Sequence, residues 1–68
     1  MNFEQVVIEE TLKMLPHSEA RFRNDSLFVE CSDEEADQLF TALLARICSS
    51  IGIVWNRVSK STVVYDFL

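Results

Sequence analysis

The chain contains a single glycine, Gly52, and a single proline, Pro16. A loop that cradles phosphate needs several residues whose backbone N–H groups are not shielded by side chains, so one glycine excludes it. Histidine and cysteine are almost as scarce. His17, Cys31 and Cys48 fall short of a four-ligand zinc set, and the cysteines lack the Cys-x-x-Cys spacing of a redox pair. No nucleophile or carboxylate stands at a spacing that would make a relay with His17, which reads as a solvated loop residue. Glu9-Glu10 and Asp33-Glu34-Glu35 do bring carboxylates together, but neighbours along a helix point to different sides, and acidic residues at a helix start already have a role there. The chain is therefore expected to be no enzyme and to hold neither cofactor nor metal.

Positive charge is also in short supply. Six Lys and Arg against eleven Asp and Glu leave a net charge of −5, which argues against tight non-specific binding to nucleic acid, since that binding lives on phosphate neutralisation. Seven of the eleven acids (Glu4, Glu9, Glu10, Asp33, Glu34, Glu35 and Asp37) fall in two predicted helices, whereas Arg21, Arg23, Arg57 and Lys60 fall in predicted strands and turns. A long apolar run is missing as well. The best one, Leu39 to Trp55, is broken by Arg46, Ser49, Ser50 and Gly52, so no membrane span is expected. Two cysteines allow at most one bridge, and Met1-Asn2-Phe3-Glu4 lacks a basic start, which predicts a reducing, cytoplasmic setting.

What the chain does have is apolar content, 49% of 68 residues. One domain of this size draws only roughly 3 to 5 kcal/mol of net stability from its core. With disulfide and metal set aside, a second copy or another protein is the expected support, covering apolar surface left open on the monomer.

The clearest element runs from Ser32 to Gly52. Ala36, Leu39, Phe40, Leu43, Leu44, Ile47 and Ile51 make one helical stripe, Ser32 with Glu35 makes a capping box, and Gly52 is suited to the turn beyond the last residue. A first helix is predicted over Asn2 to Leu15, capped by Asn2 and stopped by Pro16. Its apolar arc is unusually wide. Phe3, Val7 and Met14 form one row and Ile8, Leu12 and Leu15 another, which predicts a helix wedged between sheet and second helix or one row meeting another chain.

Ala20 to Cys31 reads as a hairpin turning at Asn24-Asp25, both tolerant of positive φ, and its short first arm with Arg21 and Arg23 suits a sheet edge. A second hairpin pairs Ile53 to Val58 with Thr62 to Leu68, whose last strand is apolar on both faces apart from Asp66 and so belongs in the middle. The expected architecture is α+β, in the order αββαββ. Right-handed connections place the last strand beside Leu27 to Cys31 in a four-stranded, mainly antiparallel sheet with both helices on one face, a layout that resembles a circularly permuted ferredoxin-like sandwich.

The sheet collects Phe22, Phe28, Trp55, Tyr65 and Phe67 together with Arg21, Arg23 and Arg57. Helices on one side would leave the other side free. These aromatics either fill the helix-facing core, or anchor a protein partner, or stack unpaired bases. The reading is a protein-interaction module, acting as a homodimer or a small regulatory or accessory subunit, with Phe28, Trp55 and Tyr65 as contacts and Arg21, Arg23 and Arg57 setting orientation. Single-stranded nucleic acid bound on that face is one alternative. An acidic inhibitor whose helices imitate nucleic-acid phosphates is the other.

Overall fold

Each helix start is closed by its own side chains. In the computed structural model, which describes residues 2–47 and 52–67, the Asn2 side chain accepts from the Gln5 backbone N–H at 2.7 Å and opens α1 (Phe3–Met14). Ser32 and Glu35 form the reciprocal capping box ahead of α2 (Asp33–Ile47): the Ser32 N–H donates to Glu35 Oε1 at 2.9 Å and the Glu35 N–H donates to Ser32 Oγ at 3.2 Å. The expected continuation of this helix through Cys48 and Ile51 lies outside the described residues, as does Leu68 at the end of the last strand.

Four strands follow the helices in pairs: β1 (Ala20–Arg23) and β2 (Ser26–Glu30), then β3 (Ile53–Arg57) and β4 (Thr62–Phe67). Asn24 and Asp25 take φ of 49° and 67°, the two consecutive left-handed residues that let a two-residue loop follow the twist of its strands. The sheet is antiparallel throughout, ordered β1-β2-β4-β3, which is consistent with the order expected. The arginine-bearing arm is at one edge. The chain is thus a small α+β fold built of two helix-hairpin halves whose second strands meet at the centre.

Register fixes which side chains face the helices. Leu27 pairs with Tyr65 and Val29 with Val63, and all four are fully buried. From above, Val7, Thr11 and Leu15 of the α1 segment and Ala36, Leu39 and Leu43 of α2 complete the core. Each fully buried Val or Leu contributes about 1.5 to 3 kcal/mol relative to exposure. Thr11 is the only buried polar residue among those described, and its hydroxyl donates to the Val7 carbonyl at 2.8 Å; no buried side-chain polar atom of the described residues lacks a partner. The Glu10 and Arg46 side chains link the two helices at 3.7 Å on the solvent side.

The wide arc of α1 is divided between the core and the surface. Val7 and Leu15 enter the core, and Phe3 leaves it to cover the end of the sheet, with its ring 5.1 Å from Phe67 and 6.3 Å from Phe22 in edge-on contacts. Leu12 stays exposed beside Ser18 to Arg21. No helix among the described residues is long and apolar enough to cross a membrane.

Candidate interaction surface

The side of the sheet away from the helices carries the other half of each strand. Its middle row, read across the strands, is Arg21, Phe28, Val64 and Asn56. One row toward the β1-β2 turn comes Arg23, Ser26, Asp66 and Val54, where the Ser26 hydroxyl donates to Asp66. The third row is Glu19, Glu30, Thr62 and Val58, its flanks held by backbone bonds from the Glu30 N–H to the Glu19 carbonyl at 3.1 Å and from the Val58 N–H to the Thr62 carbonyl at 3.0 Å. No described element covers any of these residues. A shallow depression of about 280 Å³ runs across the face between Arg21 and Arg23 on one side and Val58 and Ser59 on the other, with Phe28 in its floor.

The composition of this face is divided. Phe28 and Val64 are half-buried at the centre, and Val54 and Val58 extend the apolar ground on the β3 side with 44% and 54% of their surface exposed. Charge gathers on the β1 side. Arg21 and Arg23 stand against Glu19 and Glu30, with Arg21 and Glu19 in a loose, solvated pair at 4.0 Å.

The six residues expected to share one contact face are split by the pleat. Arg21, Arg23 and Phe28 lie on the open face. Tyr65, Trp55 and Arg57 lie on the helix side, so the six are not brought to one face. Tyr65 is fully buried, and its hydroxyl donates to the Ala36 carbonyl at 2.6 Å, pinning the first turn of α2 to the central strand. Trp55 packs beside it, half-buried, with ring centroids 6.4 Å apart. Arg57 has the inward parity of β3 but sits at the strand's end, where its guanidinium reaches past the core. It donates to Asp33 Oδ1 at 2.6 Å, to the Ser59 and Lys60 carbonyls at 2.9 and 3.0 Å, and to the Cys31 carbonyl at 2.8 Å. With those donors engaged it ties the start of α2 to the β3-β4 turn.

Val54, Val58, Val64, Glu19, Glu30 and Asp66 belong to the open face and are not among the contacts expected from the sequence. The available signal was strand parity: Phe28 and Glu30 alternate with the buried Leu27 and Val29, and the same alternation separates Val64 and Asp66 from Val63 and Tyr65.

Among the described residues two titratable groups are shifted, both on the helix side of the sheet. Burial raises the Tyr65 phenol well above its ordinary range, with Cys31 and Asp37 adding to it. Burial also raises the Cys31 thiol, reinforced by Glu35 and Asp33 and opposed by Arg57. A group whose folded pKa lies above its unfolded value contributes stability that is complete below the unfolded pKa and is lost as pH rises toward the folded one. Urea midpoints are therefore expected to fall as pH climbs above about 10, where unfolded tyrosine ionises. In Tyr65→Phe that decline should flatten, leaving the earlier and smaller loss due to Cys31.

Among the described residues no group of three or more His, Cys, Asp or Glu is placed to hold a metal ion. No protein-family model, curated protein or solved structure matches the chain.

Proposed function

We propose that the chain is a non-enzymatic protein-interaction module that acts as a homodimer or a small regulatory or accessory subunit, docking through its open sheet face. The observation that carries this reading is Phe28 beside Val64 at the centre of a four-stranded sheet whose second side no described element covers. A one-sided sheet with an apolar centre gains by burying it, and a domain of 68 residues has little core of its own to spare. The architecture is read as a circularly permuted ferredoxin-like sandwich, supported by the β1-β2-β4-β3 order with both helices packed on one face. A reducing, cytoplasmic setting is part of the same reading.

The two alternatives have less support. A base-stacking platform needs several rings beside cations, and the open face offers Phe28 alone with two arginines against the carboxylates of Glu19, Glu30 and Asp66. An acidic mimic needs free carboxylates, yet Glu10, Asp33 and Glu35 are engaged with Arg46, Arg57 and Ser32.

Light scattering during gel filtration at micromolar concentration is expected to give twice the 7.8 kDa chain mass, or else a complex with a protein recovered from the host extract. A monomer that retains no partner would overturn the proposal.

A further inference from the structure

Resting on that reading, we infer that the partner on the open face is a second copy of this chain, stacked sheet to sheet about a two-fold axis that crosses the strands through the Phe28–Val64 row. The argument begins with how the face is divided. The apolar side chains Val54, Val58 and Val64 lie toward β3, and the charges other than Asp66 of β4 lie toward β1. Two face-to-face symmetric arrangements keep the strands of both copies aligned. An axis running along the strands would lay β1 over the partner's β3, setting Arg21 and Arg23 against Asn56 and valine, so cations would be desolvated without compensation. An axis running across the strands lays each strand over its own copy. Apolar ground then meets apolar ground.

That second arrangement also exchanges the two outer rows, because residues on one side of the Phe28–Val64 row face those on the other side in the partner. Arg23 comes to stand opposite Glu19 of the second copy, and Glu19 opposite its Arg23. Val54 and Val58 exchange in the same way. Glu30 faces the second copy's Ser26, one strand from its Arg23. Of the charged residues only Arg21 lies over its own copy, at the rim, with Glu19 of its own chain at 4.0 Å. About this axis Arg23 meets Glu19 and valine meets valine, and about the other axis neither pairing forms. Stacked sheets lie about 10 Å apart and rotate by about 30°, which displaces residues about 10 Å from the centre by about 5 Å. The long side chains of Arg23 and Glu19 span that displacement.

Charge exchange tests the arrangement. Arg23→Glu and Glu19→Arg should each raise the dimer dissociation constant about tenfold or more, because one change sets like charges together at both symmetry-related positions. The double variant carrying both changes should return to within about threefold of the parent, since each reversed charge again meets its opposite. Both residues are exposed, and circular dichroism reports whether each variant is folded. Should either fail to fold, Val54→Lys and Val58→Glu give the same logic on the β3 side, separately weak and together restored. A dimer indifferent to the single changes, or weakened by them and not recovered in the double variant, overturns the arrangement while leaving a homodimer standing. A monomer that retains a different protein overturns the second copy but not the interaction module. A monomer with no partner overturns both.

Discussion

Replacing Leu39 with alanine is expected to leave much of the chain unfolded at 37 °C. Leu39 is fully buried midway along α2, within the cluster that joins both helices to Leu27, Val29, Val63 and Tyr65. Removing three carbons there costs about 2 to 5 kcal/mol, the spread depending on how far the neighbours collapse into the cavity. A domain of this size has roughly 3 to 5 kcal/mol to lose. The loss therefore rivals the whole. Leu44, five residues further along the same helix and 43% exposed, is the control, and its alanine variant should shift stability by no more than about 0.5 kcal/mol. Urea titration followed by Trp55 fluorescence measures both. A Leu39→Ala midpoint close to the parent's would mean that the helix is not seated on the sheet as described. If the chain is dimeric, protein concentration must be held constant, because association adds to apparent stability.

The contrast between Leu39 and Leu44 also shows what the sequence made legible. Helical spacing named both as one stripe, and the capping box set its start at Ser32. Spacing alone could not say that the stripe was wider than the surface it packs on, because that width depends on how α1 lies beside α2. The hairpins were legible for a local reason: Asn24-Asp25 admits positive φ, and Asp66 is the lone charge in an otherwise apolar last strand. The contact face was less so. Phe28, Trp55 and Tyr65 were grouped by residue type, but aromatic rings suit either side of a sheet, and only cross-strand register decides the side. Leu27 opposite Tyr65 settles it, and that pairing joins residues far apart in the chain. Arg57 misled for a related reason. Its charge suggested an outward residue, whereas its position at the end of a strand lets an inward parity coexist with a partly solvated guanidinium that makes four hydrogen bonds.

Arg57→Ala is the substitution that tests this employment, with an expected cost of about 2 to 4 kcal/mol. Charge-assisted hydrogen bonds are each worth about 1.5 to 3 kcal/mol when shielded, and those of Arg57 are discounted because Asp33 and the β3-β4 turn are in contact with water. Arg57→Lys should recover less than half of the loss. An ammonium is a single point of charge and cannot reach Asp33, the Cys31 carbonyl and the Ser59 and Lys60 carbonyls together, as a planar fork does. Asp33→Asn should cost about 1 kcal/mol or less, since it removes one exposed charge and leaves the backbone contacts in place. Urea midpoints give the ranking, and two local readouts separate a lost clamp from general weakening. Amide exchange should accelerate at Ser61 and Thr62, whose N–H groups donate to the Ser59 hydroxyl within the turn that Arg57 holds. The Cys31 thiol should react more slowly with a disulfide reagent at fixed pH, because Arg57 is the cation that opposes the upward pull of burial, Glu35 and Asp33 on its pKa. Unchanged thiol reactivity in a folded Arg57→Ala chain would place the guanidinium elsewhere in solution, and with it the junction between the first half of the fold and the last hairpin.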